Sequence, residues 1–334
     1  MLYIFYKDKL NLRQNKPFID FFSKSQDGIR IVSKLDQIKV NYSEVNYIFV
    51  GTMEFFEVFL KYFFRRNVKI IYRSRGVAPE ESFYRNKSWF RYIILSLIEL
   101  FVITLSKHII VVSNNHKNHY LKKYKIKEQK VSVIHNYLTK DSYNLKTSNS
   151  DKMEIVYVGG LSKWQRIDDI KELFKKLNQI NKDISFLICT NKSNIEAAKD
   201  VFNEVGNINF ESYEDYDELI KRISKCTAGV ILRDSNTVNE CSSPFKVIDY
   251  VSAQLPIIMT DNIGDYTKTL NNKNFTFYLG DTFLDEKKLV KLEDFIKKCY
   301  ENKNEIKQEM SKYSCKELNA EQEIGQVMSI LRRL

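Results

Sequence analysis

The stretch 230–264, VILRDSNTVNECSSPFKVIDYVSAQLPIIMTDNIG, carries the side chains best suited to chemistry. Val230, Ile231 and Leu232 form a short apolar run with the character of a buried strand. It leads into Arg233 and a polar loop. Ser243 and Pro244 follow, a good N-cap and a residue suited to the first helical position. Lys246 falls in the first turn of the helix so started, and Val247, Ile248, Tyr250 and Val251 mark its apolar side. Pro256 stops the helix, and Pro256-Ile257-Ile258-Met259 starts another strand. Strand, loop and helix amino end would bring Arg233 and Lys246 to a place where backbone N–H groups point outward, which favours phosphate. Asp249, three residues after Lys246, shares its helix face, and its carboxylate could accept hydrogen bonds from a ribose diol. Two cations for a diphosphate and an acid for a ribose make a nucleotide-sugar site.

The elements that must position these groups alternate along the whole chain. In the first half, strands are expected at 2–6, 29–32, 47–50, 68–72, 108–112 and 130–134, and helices at 16–25, 54–66, 88–107 and 115–124. Residues 139–152, TKDSYNLKTSNSDK, are polar and lack an apolar period, as a linker would. The pattern then restarts, with strands at 154–158, 184–190, 208–210, 229–232, 256–260 and 275–279. Helices are expected at 167–181, 194–205, 216–226, 245–254 and 293–302. Alternation of this kind implies parallel sheets covered on both faces, hence an α/β chain of two doubly wound halves. The domains expected are 1–145 and 151–314, with a last helix in 315–334. Ligands in open α/β sheets bind beyond the carboxyl ends of the strands.

Composition agrees with two globular domains. The chain has 334 residues, 43% of them apolar, and its 10 Gly and 4 Pro favour long regular elements over disorder. The five cysteines, Cys189, Cys226, Cys241, Cys299 and Cys315, form no C-x-x-C pair, and their odd number suits reduced thiols in a cytoplasmic protein. The amino-terminal apolar run is too short for a signal peptide. Net charge is +11, but residues 1–150 hold 26 Lys and Arg against 12 Asp and Glu, while residues 151–334 hold 27 against 30. A basic first half suggests an anionic partner: nucleic acid, an acidic membrane leaflet or a lipid-linked diphosphate. Surface lysines that serve only solubility account for the asymmetry equally well.

Arg233, Ser243-Pro244-Phe245-Lys246, Asp249-Tyr250 and Gln254-Leu255-Pro256 resemble the donor-binding segment of retaining nucleotide-sugar glycosyltransferases with the GT-B fold, in the family 4 group. Residues 154–168, EIVYVGGLSKWQRID, look like the first strand and turn of that family's second domain, and 70–82, IIYRSRGVAPEES, resembles an acceptor-side loop. The resemblance implies two Rossmann-like domains facing a central cleft, with the C-terminal helix crossing back onto the first. It implies transfer of a sugar from a nucleoside diphosphate donor to a hydroxyl acceptor, with retention and without a metal or cofactor. It assigns catalysis to Arg233, Lys246, Lys163 and Arg75. The donor falls to Gly159, Gly160, Arg166, Asn239, Ser243, Pro244, Phe245 and Asp249, and the acceptor side to Glu80 and Glu81. Asp249 stands where the family usually has glutamate. Ser242 stands where many members have an acid for the donor sugar, which leaves Glu240 as the candidate for that role. The expected acceptor is a growing glycan or a polyprenyl-diphosphate carrier in capsule or O-antigen type synthesis, at the cytoplasmic face of an anionic membrane. Nucleic acid is not an expected partner. The alternatives are a nucleotide-sugar epimerase of the same fold and a non-catalytic polyanion- or membrane-binding protein.

Other patterns carry less. His116 and His119 lie three apart on a helix without a third ligand and read as solvated histidines; His135 reads as a satisfied loop residue. Asp215-x-Asp217 opens a helix, where carboxylates suit the dipole, and is not a metal motif. Segment 89–107 is apolar but interrupted by Ser96 and Glu99, so a buried core helix is expected in place of a membrane span. Segment 54–66, EFFEVFLKYFFRR, reads as an amphipathic covering helix, with an anionic bilayer surface as the alternative.

Overall fold

Each half of the chain builds a six-stranded parallel sheet in the computed structural model, which describes residues 1–7, 12–24, 28–139, 143, 152–280 and 285–333. Packing divides the chain into one unit of Met1–Thr139, Glu240–Ser243 and Asn319–Leu334, and a second of Lys140–Asn239 and Pro244–Leu318. The linker expected at 139–152 falls almost wholly outside the described residues.

In the first unit the strands are β1 (Leu2–Phe5), β2 (Ile29–Val32), β3 (Asn46–Val50), β4 (Val68–Arg73), β5 (His108–Val111) and β6 (Val131–Val133), in the order β2-β1-β3-β4-β5-β6. All neighbours run parallel. Their helices are α1 (Leu12–Ser23), α2 (Thr52–Tyr62), α3 (Ala78–Asn86), α4 (Trp89–Leu105) and α5 (Asn114–Tyr124). Strands β1 and β5 are buried at every position, as a parallel strand covered on both faces requires.

The second unit contains β7 (Met153–Val158), β8 (Ile184–Cys189), β9 (Ile208–Glu211), β10 (Ala228–Ile231), β11 (Ile257–Met259) and β12 (Thr276–Tyr278), in the order β12-β11-β10-β7-β8-β9. The order is that of the doubly wound Rossmann sheet, and it reverses direction between β7 and β10. Helices α6 (Ile167–Ile180), α7 (Ile195–Val201), α8 (Tyr216–Ile223), α9 (Thr237–Glu240), α10 (Phe245–Ser252), α11 (Tyr266–Thr269), α12 (Glu286–Glu301) and α13 (Lys303–Glu317) follow. Phe174 of α6 stacks on Phe186 of β8 at 4.4 Å within the core. Asp215 caps α8 by accepting from the Glu218 N–H at 2.9 Å, the dipole role expected of it. The last helix, α14 (Ala320–Arg332), packs on α1 and β6 of the first unit, and the Leu318–Asn319 break separates it from α13.

Several elements depart from expectation, among them α13, a 15-residue helix where none was expected between 302 and 315. Helix α3 escaped notice because it is short and polar; Pro79 in its first turn is its one start signal. Helix α12 begins seven residues before the expected 293, capped by Asp285. Helix α4 is not a core helix: within it only Glu99, Val102 and Ile103 are buried. Its apolar residues cover both sides, so composition alone could not say which side faces inward.

Helix α10 is buried from Lys246 to Ser252 and is bolted to the sheet by Tyr250. The Tyr250 hydroxyl donates to the Val230 carbonyl at 2.9 Å and accepts from the Val158 N–H at 3.2 Å, tying the helix to β7 and β10 at once. Its ring fills the space where a side chain on Gly229 would stand. Tyr250→Phe leaves both backbone groups without that partner, so a loss of about 1–3 kcal/mol is expected in chemical denaturation of the second unit. Gly229→Ala should destabilise it also, by displacing the ring.

Candidate functional site

The reversal point between β7 and β10 places two loops side by side at the carboxyl ends of the strands. After β7 comes Gly159, whose φ of 138° lies in the region glycine alone adopts easily. A Cβ there would also collide with Cε of Lys246. Gly160, by contrast, has no neighbour closer than Asn194 at 4.0 Å and opens onto free space. The loop then winds into a 3-10 turn, Lys163–Gln165. The side chain of Lys163 lies outside the described residues.

After β10 comes Arg233, 7% exposed. Thr260, beyond β11, brackets it: the threonine hydroxyl accepts from the Arg233 N–H at 2.8 Å and donates to its carbonyl at 3.0 Å. The Arg233 guanidinium donates through Nη1 to the Trp164 carbonyl at 3.0 Å, while Nε is buried with no hydrogen-bond partner. Lys246, in the first turn of α10, is 8% exposed. Its ammonium donates to Gln165 Oε1 at 2.6 Å and lies 3.9 Å from the centre of the Tyr157 ring. Arg233 and Lys246 thus converge on adjacent residues of one turn, and among the described residues the hydrogen-bond and ring partners of both head groups are neutral.

Such a pair is electrostatically uncomfortable. Burial, and secondarily the charge of Arg233, pushes the Lys246 ammonium well below the usual lysine range. Burial likewise lowers Arg233. Removing a charge from water without an opposite charge costs several kcal/mol even after relaxation. An anion entering beside Gly159 and Gly160 would relieve both groups.

The other donor-side residues behave differently. Ser243 is not the N-cap. Pro244 holds that position, with φ −69° and ψ 129°, so the helix amides begin at Phe245 because proline has no N–H. The Ser243 hydroxyl instead accepts from the Asn136 N–H at 3.1 Å, and Glu240–Ser243 pack with the first unit. Asn239 binds the Asp234 carbonyl at 2.9 Å and shapes the loop after Arg233. Arg166, with φ 51° at the start of α6, pairs with Asp169 at 2.6 Å and Asp234 at 3.4 Å. Asp249 is buried on α10, one turn from Lys246. Glu240 ends α9, and its carbonyl accepts from Asn115 Nδ2 at 3.1 Å.

In the first unit, Arg75 follows β4, with its guanidinium 3.9 Å from the centre of the Tyr6 ring. Burial opposes ionisation of Glu80, but His119 at 3.1 Å and Lys123 at 2.8 Å overcome it and hold the carboxyl at about 2. Glu80 therefore ties α3 to α5 as an ion. Burial raises Glu81, and Arg85 lies 3.8 Å away. Neither His116 nor His119 is a solvated surface residue. His116 is fully buried beside Ser74 and Tyr120, and burial holds it neutral at about 3. His135 is satisfied, bonded to Glu323 at 2.7 Å and stacked on Tyr137. No group of three metal-ligating residues occurs among the described residues.

Sequence reasoning missed Gln165, Thr260 and Tyr157 as parts of this site and quoted Tyr250 only within the Asp249-Tyr250 pair, without its role of anchoring α10. The one signal for that role was its place directly after Asp249, where it meets a glycine in β10. A hollow of about 860 Å³, lined by Lys152, Lys182, Asn207, Arg222 and Tyr300 among others, lies at the opposite, amino end of the second sheet. Its Arg222 is already paired with Glu154 and Glu211, and parallel sheets present ligands at the other end.

Two six-stranded parallel Rossmann-like sheets are the architecture of the GT-B class of fold. The model for glycosyl transferases group 1 matches residues 142–316, and that for glycosyltransferase family 4 matches residues 29–139. The chain belongs to the glycosyl transferases group 1 family. No curated protein sequence matches it significantly. Among solved structures, a glycosyltransferase from Rickettsia africae is similar over 99% of this chain and 97% of its own, at 14% identity and a TM-score of 0.66. WaaG, described as a glycosyltransferase involved in lipopolysaccharide biosynthesis, is similar over 94% of each chain at 11% identity and a TM-score of 0.62. TarM from S. aureus, in complex with UDP and alpha-GlcNAc-glycerol among other ligands, is similar over 89% of this chain at 14% identity and a TM-score of 0.62. This chain spans only 57% of the length of TarM.

Lys246→Met should remove a buried charge without opening a cavity, so the variant is expected to melt at the same temperature as the parent or a few degrees higher. The linkage sign agrees. A lysine whose pKa is lower folded than unfolded costs stability fully below its folded pKa, and the cost fades as pH rises to the ordinary lysine range. A markedly lower melting temperature would mean that the ammonium holds the fold together.

Proposed function

We propose that the protein transfers a sugar from a nucleoside diphosphate-sugar to a hydroxyl acceptor, with retention at the anomeric carbon and without a metal. The observation that carries this is the pair Arg233 and Lys246, buried on one turn with neutral hydrogen-bond partners among the described residues and next to a glycine pair that lets a ligand approach the backbone. A diphosphate supplies the missing negative charge. Asp249 would hold the ribose, one helical turn from Lys246. Lys163 stands at the start of the turn and would add a third cation. The ligand class agrees with two neighbours of the same fold, TarM described with UDP and GtfA described with UDP and GlcNAc.

In this mechanism the bond between the anomeric carbon and the diphosphate oxygen breaks first. Arg233, Lys246 and the amides at the start of α10 stabilise the charge that grows on the leaving group. The acceptor oxygen then bonds to the same face of the sugar, and its proton passes to the departing phosphate oxygen. No protein nucleophile is required. Arg75 and the Glu80–Glu81 pair would serve the acceptor. The acceptor that best suits the basic first half is a lipid-linked or growing glycan in surface-polysaccharide synthesis; WaaG, of the same fold, is described as involved in lipopolysaccharide biosynthesis.

Arg233→Ala and Lys246→Ala are each expected to cut turnover at least about 100-fold, equivalent to about 2.7 kcal/mol, with circular dichroism unchanged. Parental turnover in either variant overturns the assignment. Thermal-shift measurements with UDP, GDP, ADP and CDP identify the base. Incubation with donor alone should leave the sugar unchanged, whereas an epimerase would convert it. Calorimetry of nucleotide-sugar binding in buffers of different ionisation enthalpy should show proton uptake, because the ligand raises the depressed Lys246 pKa. Affinity should therefore weaken as pH rises.

A further inference from the structure

The outer side of α4 is an apolar face on the first unit. Trp89, Phe90, Ile93, Ile94, Leu97 and Phe101 are all exposed, Phe90 at 73% and Leu97 at 61%. Between Phe90 and Leu105 the exposed polar residues are Arg91 and Thr104, one toward each end of the helix, and the exposed positions between them are apolar. The usual order for a surface helix is reversed, for the buried side holds the acid. Glu99 points inward, where it accepts from Tyr120 at 2.5 Å and Tyr124 at 2.6 Å. The face continues onto α2, whose Phe56 and Phe59 pack on Phe101 at 5.8 and 6.0 Å. Just past α2, Phe64 is 90% exposed.

A patch of this size on an otherwise charged protein marks a surface that meets something apolar. The charge around it says what. Between residues 62 and 107 there are nine Lys or Arg and three Glu. Glu99 is buried, Glu80 is held by His119 and Lys123, and Glu81 lies beside Arg85. Arg65, Arg66 and Lys107 border one end of the face, and Lys87 and Arg91 the other; all five are exposed. The basic segment after α5 is tied to the same end, because Lys130 donates to the Thr104 carbonyl at 2.9 Å.

From this juxtaposition we propose that the outer face of α4, extended by Phe63 and Phe64, docks on an anionic lipid bilayer. The helix lies in the interface with its apolar side among the acyl-chain boundary and its bordering arginines and lysines among the headgroups. It does not cross. Its 17 residues span about 25 Å, short of the roughly 30 Å hydrocarbon core, and no helix of the described residues is long and apolar enough to traverse a membrane. Trp89 and Tyr92 are of the type that gathers at such an interface. A second copy would need an acidic rim to match these cations, and the two acids of α2 do not supply one, since Glu57 pairs with Lys7 and Glu54 accepts from the Lys7 N–H.

The inference does not rest on the proposed transfer reaction, since binding is read without donor or acceptor. The test is flotation of the purified 334-residue chain with phosphatidylcholine vesicles, plain or containing about 30% phosphatidylglycerol, in about 0.1 M salt. The parent should float with the anionic vesicles and bind the neutral ones at least about tenfold more weakly. Leu97→Glu should reduce anionic-vesicle binding at least about tenfold, and the double variant Arg65→Glu, Arg66→Glu should lose most of the preference for anionic lipid. Both substitutions are on exposed side chains, so unchanged melting by circular dichroism shows that the variants are folded. A parent that stays in solution with both vesicle types overturns the proposal, as does a Leu97→Glu variant that floats like the parent. A parent that sediments as a dimer, split by Leu97→Glu, would assign the face to a second copy and overturn it also.

Discussion

Two positive side chains buried beside one another, with no ion pair to either among the described residues, impose the central constraint on the second unit. Arg233 and Lys246 repel, and burial strips both of water. What holds them is a set of dipoles: the Trp164 carbonyl, the Gln165 side chain and the face of the Tyr157 ring. These partners orient the cations without neutralising them. The positive potential stays directed at whatever enters beside Gly159, and it is strong because little solvent is there to screen it.

The surrounding fold can be understood as the apparatus that keeps the arrangement rigid. Strand reversal between β7 and β10 brings the two loops together, and Tyr250 fixes the helix that carries Lys246 to both strands. Thr260 fixes the backbone of Arg233 from β11. Gly159 is the complement of the lysine stem, since any side chain there would occupy its path. The same logic is absent from the first unit, where the charged residues near the carboxyl end of β4 largely find partners. Glu80 binds two bases, and Arg73 donates to Asn15 at 2.6 Å. In that unit the unusual feature is an apolar one, α4 turning its hydrophobic side outward over a buried glutamate.

Much of this was legible beforehand. The alternation of apolar runs and helical stretches located all twelve strands to within a residue or two, because a parallel strand covered on both faces must be apolar throughout. Arg233, Lys246 and Gly159 stood out because a cation after a strand, a cation on a helix start and a glycine pair after a strand are local signals. Ser243 was misplaced by one residue for a local reason too: Ser-Pro resembles a cap and first position, whereas here proline is the cap and the serine hydroxyl serves Asn136. The inward and outward sides of α4 were beyond reach. Its apolar residues cover too much of the circumference for periodicity to choose, and the choice was made by Tyr120 and Tyr124, more than twenty residues away on α5.

The order of side chains by itself therefore determined the class of fold, the succession of elements and which cations could serve an anion, since each depends on neighbours a few positions apart. Tertiary structure alone decided that Trp164 and Gln165 are what Arg233 and Lys246 meet on, that Arg166 turns to Asp169 and Asp234, and that a glutamate and not a leucine lines the inner side of α4. The physical reason is that burial and pairing of a charge are properties of its whole surroundings, and those are assembled from segments far apart in the chain, as Tyr157, Gln165 and Lys246 are.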